Sequence, residues 1–508
     1  MGDLKIKPNC EYNKFAPRWQ KVRDILDGEA RLKQVDLGRV GTGFKPNSTA
    51  SASNPFNVYY LRPLNPTDTS DYNQARNANY ICGARLYNAT VKTLSGLMGM
   101  VFRVEPVTPD LPTELKYLPD NVDGSGLDIE QQMQAVAGDV LSIGRGGLLT
   151  DMPRNDEGKA LTQADVDNGF RPTIQEYKAE SIIDWHESVI NGAKKLDLLV
   201  LSECVERFVD DSCFQRETVQ QLRVYRLDDS GVSVQVLIND EGELKEELFI
   251  PVMGANNEQL KEIPFAFVGS KNNQPGIDRL PLEPVTDINL GHYQESANLA
   301  SSSFQLSACQ PVIADDAYSR ALRDPKNSGP QKLGEQSAIV LGSGGRYDLV
   351  SPPENNLSSG IQGSYEQQMI ALGAQLITSG GGAETAEAAR IKRASDVSDL
   401  EVATRNISAA YNKSLKFVCL FMGIEYNDKW TFELNTNFFE SKMTPQEIAE
   451  LVKTWQAGGI SKAVLDYNLQ AGKVIKADED LEVMNDAIAE ETASDVDFDD
   501  EANNEAVE

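Results

Sequence analysis

The sequence predicts an α+β protein, and three observations carry that prediction. Two amphipathic helical patterns flank the glycine run Ser379-Gly380-Gly381-Gly382, between Ile361 and Gly423. Residues 171–267 read as short strands bounded by turn residues. Several helical stretches are rich in Ala, Ser and Gly, and such small side chains let helix backbones approach closely.

The N-terminal part begins with a short helix from Arg18 to Glu29, with Trp19, Val22, Ile25 and Leu26 on one side. Gly41 to Ser53 is rich in Gly, Ser, Thr and Asn and reads as loop. Asp71 to Met100 reads as one helical region with a nearly continuous apolar side, and Leu127 to Ile143 as a further helix. Gly144, Gly146 and Gly147 then turn the chain into a strand ending near Asp151. In the β-rich block, Thr173–Tyr177 and Leu198–Leu201 read as strands. Asp228-Asp229-Ser230-Gly231 reads as a hairpin turn between 222–225 and 232–238. Ile263 to Val268 closes the block.

Pro281 or Pro284 opens a helix to about Ser307, since proline suits a first helical turn. Residues 311–359 form a mixed insertion full of Pro and Gly. Ile361, Tyr365, Met369, Leu372 and Leu376 share one helical face. After the glycines, Ile391, Ala394, Val397, Leu400, Ile407, Ala410, Leu415, Val418 and Met422 share another. A helix from Thr385 to Met422 would be about 55 Å long. A rod of that length is expected to need neighbours along its whole extent, often from other subunits. Trp430 to Phe439 reads as a short strand region, Thr444 to Trp455 as a capped helix, and Ser461 to Asn468 as a last helix–turn unit.

Composition narrows the function classes. The 508 residues carry a formal net charge of −29, with 40% hydrophobic and 25% charged residues. A protein that grips nucleic acid tightly wants the opposite sign. From Asp478 onward there are acids and no Lys or Arg, the pattern of a solvated, unordered tail. Cys10, Cys82, Cys204, Cys213, Cys309 and Cys419 have no paired spacing and suit reduced thiols in a cytoplasm. The N-terminus lacks the apolar stretch of a signal peptide, and no run approaches the ~18 apolar residues of a membrane span, so a soluble protein is expected.

Candidate chemistry is sparse. His186, in Ile182-Ile183-Asp184-Trp185-His186, could act as a base assisted by Asp184; equally it could be a strand-end or turn histidine beside a packed tryptophan. His292 reads as a packing or interface residue on its helix. Two histidines and scattered cysteines argue against zinc. Gly342-Ser343-Gly344-Gly345-Arg346 lacks phosphate-loop spacing. Ser379 to Gly382 precedes a helix start, where free N–H groups favour anions, but no Lys-Ser or Lys-Thr follows. Arg390, Lys392 and Arg393 could touch a polyanion or simply form a solvated helix face. No cofactor and no catalytic group are expected.

Tyr59 to Leu64, Tyr72 to Ala78 and Asn88 to Phe102 resemble the N-terminal part of tailed-bacteriophage portal proteins. Arg171 to Ile174, Ile182 to Trp185 and Leu290 to Ala297 resemble further segments of the same family, and the likeness spans roughly residues 10–470. The resemblance implies a non-enzymatic ring, commonly a dodecamer, at one capsid vertex of the virion. Double-stranded DNA would pass through it non-specifically during packaging and ejection. The implied partners are the large terminase subunit, the major capsid or scaffolding protein and a head–tail adaptor, with no membrane. The implied parts are an N-terminal wing (1–283), a stem helix (284–308), a clip (309–360), a returning stem helix (361–377) and a tunnel loop (378–390). A long wing helix with a strand (391–440), a short crown (441–476) and an acidic tail (477–508) follow. Ser379, Gly380, Gly381, Gly382, Arg390, Lys392 and Arg393 would line the channel at the tunnel loop. The competing readings are a non-channel head–tail adaptor or scaffold, and a hydrolase using Asp184 and His186.

Overall fold

The computed structural model describes residues 7–40, 60–65, 68, 70–153, 170–190, 192–208, 214–240, 243–246, 249–255, 258–307, 312–314, 316, 339–341, 344, 357–372, 386–436, 438 and 445–471. The fold is mixed α+β, in two compact units, residues 1–436 and 437–508.

The first unit opens with α1 (Cys10–Leu26) and α2 (Glu29–Val40), separated at Gly28, whose φ of 94° lets the chain reverse. The first helix therefore starts earlier than its apolar pattern predicts, and it buries Trp19, Val22 and Ile25 as that pattern requires. The predicted single helix over 71–100 is two helices, α3 (Asp71–Gly83) and α4 (Ala89–Val101). The break is fixed by side-chain and tertiary hydrogen bonds. Ala84 is extended, and the Asn88 side chain caps α4 by accepting from Val91 N while donating to Ile25 O. α5 (Ile129–Ile143) is capped by Asp128 and ends on left-handed Gly144.

Two antiparallel sheets follow. The strands β1 (Arg145–Asp151), β2 (Thr173–Lys178) and β9 (Phe265–Gly269) form a three-stranded sheet with β1 central. Phe265 lies over Gly147, where an added Cβ would sit 2.1 Å from its ring, so only glycine fits at that rung. The larger sheet runs β3 (Ile182–Ile190), β4 (Ala193–Phe208), β5 (Arg216–Leu227), β6 (Val232–Asp240) and β7 (Glu243–Glu246), with β8 (Ile250–Pro251) also paired to β6. The predicted turn at 228–231 joins β5 to β6, its Asp228 carboxylate accepting from Ser230 N and Gly231 N. Both sheets share one core, in which Leu149, Tyr177, Trp185, Leu201, Tyr225 and Phe267 meet.

The remaining elements are α6 (Glu283–Ser307), α7 (Leu357–Leu372) and α8 (Ala386–Met422), with a short parallel pair between α6 and α7, β10 (Val312–Ala314) and β11 (Ile339–Leu341). Trp430 to Phe439, predicted as a strand region, makes a single antiparallel bridge, Glu433 to Val107, among the described residues. The second unit contains α9 (Pro445–Gln456) and α10 (Lys462–Ala471), which pack together with Leu465 buried. The predicted acidic tail, 477–508, lies outside the described residues, as does most of the insertion 311–359.

Candidate functional site

The candidate site is the pair α6–α7 and the long helix that follows. α6 is rooted by polar groups. Its first turn carries Glu283 and Asp287, where negative charge suits the helix N-terminus. Arg18 of α1 donates to both Glu283 oxygens, and Lys21 donates to Glu283 and Asp287. The bond from Arg18 holds the Glu283 carboxyl below its usual pKa.

One turn further on, Asn289 is fully buried. Its Oδ1 accepts from Thr90 N at 3.1 Å and from Thr90 Oγ1 at 3.0 Å, and its Nδ2 donates to Tyr87 O at 2.7 Å. Arg85 N donates to Ser296 Oγ at 2.8 Å, Gln294 Nε2 to Tyr60 O at 2.8 Å, and Tyr80 Oη to Asn298 Oδ1 at 2.6 Å. Gly83 approaches so closely that an added Cβ would lie 3.4 Å from Ala300 Cβ. Directional bonds of this kind fix the rotation and register of α6 more sharply than apolar contact alone.

α7 packs on α6 at Gly291, where an added Cβ would sit 3.0 Å from the Tyr365 ring. Beside it, His292 Nε2 lies 3.4 Å from Glu366 Oε1, and the His292 ring tilts against Tyr87. The histidine is buried, as its reading as a packing residue requires. Ser358 and Met369 of α7 are buried, whereas Leu357, Ile370 and Leu372 are exposed, Leu357 at 70%. Glu366 is the lone charged residue of α7, and α6 carries none from Ser296 to Ser307. The outer faces of the pair are thus exposed yet nearly uncharged, in a chain with 25% charged residues.

α8 is an unbroken helix of 37 residues, about 55 Å long. The neighbours expected along its length come, for its C-terminal half, from its own subunit. Leu400, Ala403, Ile407, Ala410, Tyr411, Leu415 and Val418 are buried within their own chain, against α5, β1 and β9. Tyr411 Oη donates to Gln132 Oε1 at 3.1 Å. Asn412 grips the Phe432 backbone, accepting from its N at 2.7 Å and donating to its O at 3.2 Å.

Of the residues assigned to the channel from sequence, Ser379, Gly380, Gly381 and Gly382 lie outside the described residues. Arg390, Lys392 and Arg393 fall on the helical backbone of α8, and their side chains lie outside the described ones. The Asp184–His186 pair does not form. His186 lies inside β3, exposed, with Nδ1 2.7 Å from Asp197 Oδ1 across to β4. Asp184 instead accepts from Asn9 Nδ2 and Trp185 N. The strand-end or turn placement of His186 is corrected too, since the strand continues to Ile190. Among the described residues no group of three or more His, Cys, Asp or Glu could hold a metal ion, and no helix is long and apolar enough to cross a membrane. The residues that sequence reasoning missed are Thr90, Asn289 and Ser296. Their signal is a small polar side chain on an otherwise packed helix face.

Residues 281–422, which begin just before α6 and end with α8, match the family described as Domain of unknown function (DUF4055). None of the curated proteins matches the sequence. Among solved structures, the chain is similar to one in the neck of an empty GTA (gene transfer agent) particle with C6 symmetry, at 12% identity and a TM-score of 0.33. That match covers 74% of this chain and 88% of the other. It is also similar to a chain in the neck of a native GTA particle with C12 symmetry, at 11% identity and a TM-score of 0.30, covering 74% and 86%. Scores of this size mark partial correspondence of the backbone, and the function proposed below rests on the chain's own features.

Proposed function

We propose that the chain is the subunit of a portal, a ring-shaped channel at one vertex of a tailed-phage-like capsid through which double-stranded DNA enters and leaves. The observation that carries this reading is the α6–α7 pair. Its root is pinned by buried hydrogen bonds, and its outer faces are exposed and almost free of charge. Side chains that neither repel one another nor need much desolvation are what repeated copies use to pack about an axis. The portal-like segments and the order of elements support the same reading, with the pair as stem and Ser379–Gly382 as the start of a tunnel loop.

The mechanism follows from charge. DNA must slide in both directions without sticking, so an acidic protein repels its backbone while a few cations make weak, exchangeable contacts. Arg390, Lys392 and Arg393 are the cations proposed for that role. Base-specific hydrogen bonds would hinder passage, so contact with phosphate alone fits the task. The subunit itself performs no chemistry in this reading. The terminase motor, the capsid or scaffolding protein and a head–tail adaptor are its proposed partners. Electron micrographs of the purified protein under assembling conditions test the proposal. Rings with an open central hole support it, whereas monomers or holeless particles overturn it.

A further inference from the structure

The larger sheet leaves a stretch of two strands open on both edges. β4 and β5 outrun both of their neighbours in the larger sheet. β3 stops pairing at Ile182↔Leu201, and β6 stops at Gln221↔Ile238. Beyond those rungs the pairs Cys204↔Gln220, Val205↔Val219, Glu206↔Thr218, Arg207↔Glu217 and Phe208↔Arg216 continue as a two-stranded ribbon. Among the described residues no other strand pairs with either edge of it. Val205 and Val219 are partly covered, and the other eight residues are exposed, Phe208 at 54%. A lone two-stranded ribbon is marginal in water, and an open strand edge is a template for another chain.

The charge pattern identifies that chain. The ribbon holds Glu206, Glu217, Arg207 and Arg216, a net charge of zero, in a protein of net charge −29. A neutral ribbon adds nothing to the net repulsion between copies of so acidic a chain. Its two strands are complementary: Val205 faces Val219, Arg207 faces Glu217, and Arg216 reaches both Glu206, at 3.4 Å, and the face of Phe208. One copy's outer β4 edge can meet the next copy's outer β5 edge with the same antiparallel pairs that already join them inside each subunit. Each copy offers one edge of each kind, which is the head-to-tail geometry that closes rings.

We infer that the Cys204–Phe208 and Arg216–Gln220 ribbon joins one copy of this chain to the next by strand addition, the β4 edge of one copy on the β5 edge of its neighbour. This contact is separate from the α6–α7 pair and does not require that DNA pass through the assembly.

Hydrogen exchange on the full chain, assembled and as separated subunits, tests it first. Amides of 204–208 and 216–220 should exchange at least tenfold more slowly in the assembly. Equal rates in the two states would overturn the inference. A second measurement fixes the register. Val205→Cys and Val219→Cys are made in separate chains, both in a Cys204→Ser background, then mixed, assembled and oxidised. A covalent dimer in the mixture, absent from either variant alone, is the expected result. Assemblies that form without that dimer, or chains that never assemble, refute the contact. Open rings with unprotected ribbons would end this inference and leave the channel proposal standing. Ribbon-linked filaments without a hole would do the reverse.

Discussion

Two helical regions of the same chain have been treated in opposite ways. Residues 400–421 of α8 are largely saturated: apart from the exposed Leu420, their large apolar side chains are mostly buried in their own subunit, where the helix packs on α5, β1 and β9 and Tyr411 and Asn412 are hydrogen-bonded. The α6–α7 pair has an equally well-made root, but its outer faces are left open with almost no charge to hold water. An ordinary solvent-facing helix pair would carry charged residues on those faces. In the proposed ring the difference separates what folds the subunit from what meets a neighbour, and it predicts that substitutions in the two regions break different things.

The largest loss of stability should come from the saturated helix. Leu415 is fully buried, so Leu415→Ala should cost about 2–5 kcal/mol of subunit stability, read by urea unfolding. A loss below ~1 kcal/mol would mean that this half of α8 is not core. Next is the root of α6. Asn289→Ala removes the acceptor for Thr90 N and Oγ1 and the donor to Tyr87 O, and it should cost about 1–3 kcal/mol in the same assay. No loss there would show that polar bonds do not set the position of α6.

A smaller effect concerns pH. Burial, with the nearby Asp139 carboxylate adding to it, raises the Glu176 pKa from 4.5 to about 7. The folded state therefore holds this proton more tightly than the unfolded state. Its contribution is fully present below pH 4.5 and is lost as the pH rises to about 7. Glu176→Gln should flatten the decline of stability across that window, measured by thermal unfolding at a series of pH values. An unchanged slope would place the titration elsewhere. The smallest effect on subunit stability is expected on the open face. Ile370→Glu should alter unfolding by no more than about 0.5 kcal/mol yet abolish assembly in size-exclusion chromatography. Intact assemblies from this variant would remove the distinction between the two regions.

The sequence revealed elements whose logic is local and concealed those whose logic is tertiary. The long helix was legible, Ala386–Met422 against the expected Thr385–Met422, because its apolar spacing persists for about nine turns from Ile391. The turn at 228–231 was legible because an Asp side chain and a glycine at φ 140° build it from within. The break between α3 and α4 was missed: helical periodicity continues across it, while its cause is Asn88 reaching Ile25 O and Arg85 N reaching Ser296 on distant helices. Among the described residues of 430–439, strand pairing is limited to the single bridge from Glu433 to Val107, far away in sequence. His186 was paired with Asp184 on proximity along the chain, but its partner Asp197 is brought to it by the irregular β3–β4 register. Of the candidate site, the helices were readable and the bonds that pin α6 were not, since Asn289 and Thr90 lie far apart in sequence.

In the proposed ring, α6–α7 is completed by other subunits, whereas the C-terminal half of α8 is complete within its own. A density map of the assembled protein at side-chain resolution tests it most directly. The expected map shows Leu357 and Ile370 covered by neighbouring copies around an open axis, with Leu400 to Phe421 still packed inside their own subunit. A map with Leu357 and Ile370 facing solvent, or with residues 400–421 at the subunit contact, would contradict it.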